Sequence, residues 1–303
     1  MKHILRVIAI LLALACLLVL IPSGTIVAQA EIIEYGLKDK KGLPLQKDGY
    51  NLEEMTYEDP SITVKIETGR FEETNYMVAR VTIANATQLR TAMSGNYYSP
   101  STMLGATMAR NVNAALAING DYFSARNNVG YMARMGKEYK NKCNGTYDVL
   151  VIDDQGDLHI IKAPTKADME AFKAQLEADG RTVVNGFTFG PGLVINGERQ
   201  TGFVDMDNAA LRCAQRMCLA QIGPLEYLCI SSEGPEDPGS KGLNLEQFAE
   251  LVSSFEGVQN AYNLDGGSSA TMVFNRNKVN APNNPKKRPL NDIIYFASAY
   301  RPD

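Results

Sequence analysis

Two short segments of the sequence carry residue types that could act on a bound anionic substrate. The first runs from Asn263 to Val273 and reads Asn-Leu-Asp-Gly-Gly-Ser-Ser-Ala-Thr-Met-Val. The glycines and serines after Asp265 allow the chain to turn sharply and to point several backbone N–H groups at one place, which is typical of an anion-binding site. A carboxylate beside such a site can serve as base, acid or orienting group. The same pattern also occurs in ordinary turns between two strands.

The second segment follows a predicted buried strand. The apolar residues 114–118 lead directly into Asn119-Gly120-Asp121-Tyr122-Phe123. A strand that ends in Asn-Gly-Asp places amide and carboxylate groups at the end of a sheet, and glycine there lets a ligand approach the backbone. The alternative is again a simple turn, in which the two aromatic residues only pack.

Charged side chains elsewhere supply further candidates for the site. Arg212 and Arg216 are four residues apart, so on a strand they point to the same face, and two guanidinium groups on one face suit a phosphate. Cations that simply face solvent are the alternative interpretation. Glu233 follows the predicted strand 226–231 and places a third carboxylate at a strand end.

The first thirty residues have the layout of a secretory signal peptide. Lys2 and Arg6 accompany an apolar run up to residue 21, and Ala28-Gln29-Ala30 is a small-residue cleavage pattern. We therefore expect a signal peptide at 1–30 and a secreted, extracytoplasmic protein. The apolar run at 4–21 approaches the length of a membrane span, so anchorage in a membrane through this segment alone is the alternative.

The composition argues against several classes of protein. Removal of Lys2 and Arg6 with the signal peptide changes the formal net charge from −4 to −6, so no nucleic-acid partner is expected. His159 is the only histidine after residue 30, and the chain has no Cys-x-x-Cys pair. A zinc site and a Ser–His–Asp triad are therefore not expected.

The cysteine count leaves two interpretations open. Four cysteines follow residue 30: Cys143, Cys213, Cys218 and Cys229. In an exported protein they could form two disulfides. Alternatively, Cys218 and Cys229 are small apolar residues buried in strands.

Hydrophobic patterning predicts a single domain at 61–303 after a polar linker or arm at 31–60. The expected class is α+β (mixed α/β), with one mixed central β-sheet flanked by helices. The predicted strands are 61–67, 76–83, 114–118, 147–152, 193–195, 214–222, 226–231, 261–264 and 271–275, with a last strand at 291–297. Helices are predicted at 101–109 and 244–255, and a surface helix at 165–178 with Thr165 as its N-cap. The site is expected where the loops after Ile118, Ile230 and Leu264 converge.

Taken together and in order, the motifs resemble the phosphodiester glycosidase family over about 61–300. The resemblance rests on the family's Asn-Gly-(Asp)-(Tyr/Phe)-Phe, Gly-Pro-x-Leu-Val-x-x-Gly and Leu-Asp-Gly-Gly-x-Ser-x-x-Met signatures and on two weaker segments. The corresponding stretches are 119–123, 187–197, 263–272, 242–249 and 288–291. Two stretches depart from the family: Met-Cys-Leu-Ala follows Arg216, and Glu233-Gly234-Pro235 stands where many members read Asp-Gly-Arg. These departures leave the substrate range open.

The resemblance implies a hydrolase of carbohydrate metabolism that cleaves a sugar 1-phosphodiester, such as one of N-acetylglucosamine, at the anomeric bond. A cell-envelope glycan or glycopolymer is the expected substrate, and a bacterial exported enzyme the expected setting. The catalytic candidates are Asp265, Asp121 and Glu233, with Asp265 and Asp121 as the central pair. The candidates for substrate or phosphate binding are Asn119, Gly120, Arg216, Gly266, Gly267, Ser268, Ser269 and Arg288.

Two further hypotheses accompany the enzyme. A non-catalytic, exported module that binds a glycan or glycopolymer phosphate would use the same arginines and glycines. No cofactor is required, but a divalent cation, Ca²⁺ or Mg²⁺, could be held by the oxygens of Asp121, Asn263 and Asp265.

Overall fold

The structure, a computed structural model, describes residues 30–126, 128–204, 209–282 and 287–302. Except for Ala30, the predicted signal peptide or anchor lies outside the described residues. Two compact units are present, and the unit 32–300 contains the sheets and helices that form the site. In the described parts of the chain, no helix combines the length and apolar character that a membrane crossing requires.

Strands dominate the described chain. In chain order they are β1 (Glu31–Ile32), β2 (Tyr50–Asn51), β3 (Thr56–Asp59), β4 (Ile62–Phe71), β5 (Thr74–Ile83), β6 (Leu89–Met93), β7 (Ala114–Asn119), β8 (Gly130–Arg134), β9 (Lys137–Lys142), β10 (Val149–Asp153), β11 (Leu158–Ile161), β12 (Val183–Phe187), β13 (Gly192–Ile195), β14 (Glu198–Arg199), β15 (Arg216–Gly223), β16 (Glu226–Ser232), β17 (Asn260–Asn263), β18 (Met272–Phe274), β19 (Asn277–Lys278), β20 (Asp292–Ala297) and β21 (Tyr300–Arg301).

Three α-helices accompany the strands: α1 (Gly105–Asn111), α2 (Lys166–Ala178) and α3 (Leu245–Ser253). Thr165 caps α2 by accepting from the backbone N–H of Asp168, which confirms the predicted N-cap. Asn244 caps α3 in the same way through Gln247. Short 3₁₀ turns lie at Ala86–Gln88, Phe123–Arg126 and Gly267–Ser269.

Three antiparallel sheets make up most of the fold, and β1 and β21 form a separate two-stranded sheet. Sheet A has the order β14-β13-β17-β15-β16-β5-β4-β3-β2, sheet B the order β11-β10-β12-β8-β9, and sheet C the order β19-β18-β7-β20-β6. The registers are antiparallel throughout, from β4 with β5 in sheet A to β20 with β7 in sheet C. Such sheets can be joined by short turns without long crossover helices.

A shared apolar core holds the three sheets together. Val81 of sheet A, Leu150 of sheet B and Phe296 of sheet C belong to one buried cluster. On the outer face of sheet A, Phe248 of α3 packs in a second cluster with Ile230. Helix α1 contributes to a cluster on sheet C, and α2 to one on sheet B. The residue alternation of the strands thus separates a central core from three outer ones.

The predicted elements exist, but their arrangement differs from the prediction. All ten predicted strands are present, and the helices predicted at 101–109 and 244–255 are α1 and α3. The single mixed sheet flanked by helices is wrong, because these strands are distributed among three antiparallel sheets that dominate the fold. Alternating polarity shows that a strand has one buried face, but it does not show which strand is its neighbour. Only the coarse α+β class holds.

Two regions contain strands that the patterning did not indicate. The polar stretch 31–60 contributes β2 and β3 to sheet A, and Tyr57 in β3 is fully buried in the central core. Sheet B includes the hairpin of β8 and β9, which has few apolar residues in its second strand. β8 is held by pairing with the distant β12, whereas β2 and β3 extend the sheet next to their sequence neighbour β4. Local composition does not reveal either pairing.

The structure agrees with buried thiols for two of the cysteines. Cys218 and Cys229 are fully buried free thiols in β15 and β16, and they lie in the clusters on opposite faces of sheet A. Burial raises the pKa of both thiols. Cys143 is also buried and free, and Cys213 is exposed and free.

Candidate active site

The two segments singled out in the sequence meet at the ends of their strands. The side-chain amide of Asn119 donates to the carbonyl oxygen of Asp265 at 2.7 Å, and its Oδ1 accepts from the backbone N–H of Thr271 at 3.0 Å. The N–H of Asp265 donates to the carbonyl oxygen of Gly120 at 3.4 Å. One buried asparagine therefore holds both ends of the Asp265 turn against the end of β7.

The turn also joins two sheets. It connects β17 of sheet A to β18 of sheet C, and β18 pairs with β7. Sheet B reaches the same place through Arg134, the last residue of β8. The candidate site therefore lies at the junction of all three sheets.

A narrow pocket opens at this junction. It is lined by Asn119, Gly120, Tyr122, Asp265, Ser269, Arg288, Pro289, Leu290, Asn291 and Asp292. Asp265 is partly exposed in it. The guanidinium carbon of Arg288 lies 4.7 Å from the ring centroid of Tyr122, a cation–π contact that supports the arginine at the rim. A carboxylate and a cation thus face the same small space.

A buried charge cluster lies beneath the pocket. Arg134 donates from Nη2 to Asp121 Oδ1 at 2.8 Å and to Asp292 Oδ2 at 2.7 Å, and from Nε to Asp292 Oδ2 at 2.9 Å. Both aspartates are at most 2% exposed. The second oxygen of Asp121 accepts the N–H of Thr188 at 2.9 Å. The guanidinium carbon of Arg134 lies 3.9 Å from the ring centroid of Phe187, so the whole cluster is fixed in place.

Burial shifts the proton affinity of this cluster. Complete burial raises the pKa of Asp292 from 3.8 to about 6, and the negative charges of Asp121 and Asp265 act in the same direction against the attraction of Arg134. Burial also lowers the pKa of Lys140 to about 8, although the nearby Asp121 charge opposes this. The site thus contains a carboxyl group that holds a proton closer to neutral pH than an ordinary aspartate does.

Two glycines are required by close packing at the site. A β-carbon on Gly120 would lie 2.2 Å from Oδ1 of Asp292, and one on Gly266 would lie 2.6 Å from the carbonyl oxygen of Gln215. The N–H groups of Gly267 and Ser269 donate to the carbonyl oxygens of Gln215 and Gly266. These two amides stabilise the turn and do not point to a ligand.

A sequence profile of the phosphodiester glycosidase family matches residues 112–297, which is more than half of the chain. The chain belongs to the phosphodiester glycosidase family. The matched region contains both motif segments, Arg134 and Asp292.

Solved structures share the fold of this phosphodiester glycosidase. The catalytic domain of zebrafish N-acetylglucosamine-1-phosphodiester alpha-N-acetylglucosaminidase, auto-inhibited by its pro-peptide, matches with a TM-score of 0.60 and 16% identity, over 85% of this chain and 87% of that chain. A hypothetical protein from Synechocystis matches with a TM-score of 0.50 and 18% identity, over 78% of this chain and 62% of that chain. No curated protein matches the sequence. At these identities the structural likeness concerns the fold.

Several predicted site residues of this family member lie away from the pocket. Arg216 is buried, and its guanidinium donates to the carbonyl oxygens of Leu243, Ala209 and Arg212, so it holds the loop that precedes β15. Glu233 accepts from Asn75 Nδ2 and Ser240 Oγ and lines a separate groove of about 490 Å³. Ser268 lies next to the pocket in the Asp265 turn, where it is partly exposed, but it does not line the pocket.

The predicted cation site at Asp121, Asn263 and Asp265 stays a prediction, and two of its three residues bond to other groups of the protein. Among residues 30–126, 128–204, 209–282 and 287–302, no three His, Cys, Asp or Glu side chains are grouped to hold a metal ion. Both oxygens of Asp121 accept from protein donors. Asn263 donates to the carbonyl oxygen of Gly190, and its Oδ1 is buried with no partner in the described chain. A divalent cation would need several oxygen ligands here, and chelation is the measurement that tests for it.

Arg134, Lys140 and Asp292 are the site residues that sequence reasoning missed. A usable signal was present for two of them. Arg134 ends the buried strand Gly-Tyr-Met-Ala-Arg, and Asp292 begins the apolar strand Asp-Ile-Ile-Tyr-Phe-Ala. A charge at the end of an otherwise apolar strand is costly to bury alone, so it indicates a buried partner.

Proposed function

We propose that the protein hydrolyses a sugar 1-phosphodiester at the anomeric carbon–oxygen bond. The observation that carries the proposal is that the partly exposed Asp265 and the cation Arg288 line one pocket, where Asn119 holds Asp265 at the junction of the sheets. Membership of the phosphodiester glycosidase family supports this reaction class.

The proposed reaction adds water across the anomeric bond. The bond between the anomeric carbon and the phosphate oxygen breaks, and both electrons leave with the phosphate monoester. Asp265 either removes a proton from the attacking water or attacks the carbon itself, in which case water later releases the sugar. Arg288 neutralises the phosphate charge. The products are the free sugar and a phosphate monoester.

The buried cluster has a supporting role in this proposal. Asp121 is enclosed by Arg134 and Thr188, so we assign it to positioning, whereas the sequence suggested a central catalytic role. Asp292 lines the pocket, and its pKa of about 6 allows it to hold a proton that the leaving phosphate can take. Glu233 and Arg216 are not part of the proposed chemistry.

The proposed setting and substrate class rest on the N-terminal sequence, which predicts export. If residues 1–30 direct export, a cell-envelope glycan or glycopolymer carrying a sugar phosphodiester is the substrate that the protein would meet. A divalent cation that assists the phosphate remains part of the proposal to be tested.

The test is hydrolysis of a panel of aryl, nucleotide-linked and polymeric sugar 1-phosphodiesters by purified residues 31–303, with and without EDTA. Free sugar and phosphate monoester are measured. We expect turnover, and we expect the Asp265→Asn variant to lose it by about 10²–10⁴-fold because the carboxylate acts in the rate-determining step. A fall in activity on chelation would establish the cation.

The matched control is Asp48→Asn, which neutralises an exposed aspartate that does not line the pocket. It should hydrolyse the substrates at the parental rate. Near-normal activity of Asp265→Asn would refute the assignment of this carboxylate. No turnover of any substrate by the folded protein would favour the non-catalytic module that binds a glycan phosphate.

A further inference from the structure

We propose that three tyrosines beside the pocket form a platform that binds the saccharide part of the substrate. The tyrosine platform consists of Tyr97, Tyr98 and Tyr139. The inference rests on the proposed function, because it extends the same site from the reacting phosphate to the sugar units attached to it.

The pocket itself is too small for a sugar ring. The space that it encloses is about 10 Å³, roughly what a single water molecule requires. It therefore fits the reacting atoms around Asp265 and Arg288, whereas a pyranose and any further sugar units must lie on the surface next to it.

The platform is an aromatic surface of that kind. The ring centroid of Tyr97 lies 5.2 Å from that of Tyr98, 5.6 Å from that of Tyr139 and 6.4 Å from that of Phe123. These contacts fix Tyr97 between the other rings. Tyr98 is 78% exposed, so its ring adds little to the core. Three neighbouring rings, one of them held out into solvent, form an aromatic patch that a ligand can contact.

Hydrogen bonds join the platform to the rim of the pocket. Asn291, which lines the pocket, donates from Nδ2 to the carbonyl oxygen of Ser101 at 2.9 Å and accepts the N–H of Ser94 on its own carbonyl at 2.8 Å. Leu290 and Met103 exchange two backbone hydrogen bonds of 2.8 and 2.9 Å. The loop that carries Tyr97 and Tyr98 is therefore fastened at both ends to pocket residues.

The loop is also rigid by itself. Oδ1 of Asn96 accepts the N–H groups of Tyr98 and Ser99 at 3.0 and 2.9 Å. Ser101 donates from Oγ to the carbonyl oxygen of Ser94 at 2.9 Å. Because the loop is already ordered, little conformational entropy is lost when a ligand binds the tyrosines.

The chemistry of the platform suits a glycan. A pyranose presents an apolar face of C–H groups and a polar edge of hydroxyls, and tyrosine offers an apolar ring with a polar tip. Lys137 lies with Nζ 4.7 Å from the ring centroid of Tyr139, so a cation accompanies the rings. Rings beside a cation match sugar units that carry phosphate.

The test measures binding without requiring hydrolysis. The protein is run by native electrophoresis in gels that contain dextran, mannan or glycol chitin, which present glucose, mannose and N-acetylglucosamine units. We expect retardation in at least one gel. The Tyr98→Ala and Tyr139→Ala variants should lose about tenfold in apparent affinity, while Tyr98→Phe keeps the ring and most of the binding.

The control is Leu52→Ala, which removes another exposed apolar side chain and should bind like the parent. Free migration of the parent protein in all three gels would overturn the proposal, and so would equal retardation of the parent and both alanine variants. Retardation that depends on the tyrosines, without any phosphodiester hydrolysis, would uphold the platform and refute the proposed reaction.

Discussion

Two regions of the molecule place an arginine between two aspartates, yet their surroundings differ. Arg134 bridges Asp121 and Asp292, and all three side chains are at most 2% exposed. Arg181 bridges Asp153 and Asp157 with its own side chain 31% exposed. The first group forms the floor of the candidate pocket, whereas the second fastens the turn between β10 and β11.

The proton affinities of the two regions move in opposite directions. Asp153 is buried, which alone would raise its pKa, but hydrogen bonds from His159 and from the backbone of Asp157 lower it overall. Asp292 has Arg134 as its donor and two other carboxylates nearby, and its pKa is raised. At Asp292 burial and the neighbouring negative charges outweigh the attraction of Arg134, whereas at Asp153 the hydrogen bonds and positive charges outweigh burial.

Removal of the two arginines should give the largest difference. Arg134→Met leaves two buried carboxylates facing each other and should lower the free energy of unfolding by about 3–5 kcal/mol. Arg181→Met should lower it by about 1 kcal/mol or less, because Asp153 keeps its other donors and the pair is partly in water. Urea unfolding at pH 7 measures both. If Arg134→Met is insoluble while Arg181→Met is soluble, the two variants rank in the same order. Equal losses of unfolding free energy in the two variants would contradict the comparison.

Alanine in place of glycine should separate activity from stability. Gly120→Ala drives a β-carbon into the Asp292 carboxylate, and we expect a loss of stability of about 1–3 kcal/mol together with a loss of hydrolysis. In Gly156→Ala, in the turn near Arg181, the new β-carbon would lie too close to the hydroxyl of Tyr227, and the backbone at this position is left-handed. The stability of this variant should therefore fall too. Its specific activity at low temperature should stay at the parental value. If both variants lost specific activity to the same extent, Gly120 would have no more effect on the reaction than Gly156.

The smallest effect concerns pH, and its sign differs between the two regions. The stability that Asp292 provides relative to Asp292→Asn is full below its usual pKa of 3.8 and is lost as the pH rises through about 6. The stability that Asp153 provides relative to Asp153→Asn is full above pH 3.8 and is lost as the pH falls through the lowered pKa. Thermal unfolding between pH 3 and 8 measures both differences. If both stability differences changed in the same direction with pH, the opposite pKa shifts of Asp292 and Asp153 would be refuted.

Sequence reasoning located the pocket better than it located the pocket's support. Asn119 and Asp265 each follow an apolar strand directly, so local pattern was sufficient to place them at strand ends that meet. Arg134 belongs to sheet B and its partner Asp292 to sheet C, and 158 positions separate them in the chain. Their pairing depends on which sheets adjoin, and alternation of polarity carries no information about that.

The predicted single sheet has the same cause, since the sequence does not show which strands adjoin. The role predicted for Arg216 depended instead on where its strand begins. A four-residue spacing placed Arg212 and Arg216 on one face of a strand, but β15 begins only at Arg216, and the residues before it form a loop whose carbonyl groups the arginine binds. The element was predicted correctly, whereas its first residue was not. For a buried cation at a strand end, that one boundary decides between a ligand contact and a backbone contact.

The double attachment of Asn119 bears on how the site can change in evolution and in the laboratory. Because one side chain bonds to Asp265 at the start of the turn and to Thr271 at its end, the positions of both ends are set independently of what lies between them. Ser268 is partly exposed in that interval, and a β-carbon at Gly267 would meet open space, although its backbone is left-handed. Because Gly266 is confined by the carbonyl oxygen of Gln215, Ser268 is the position in the turn where a side chain can change while Asp265 stays in place.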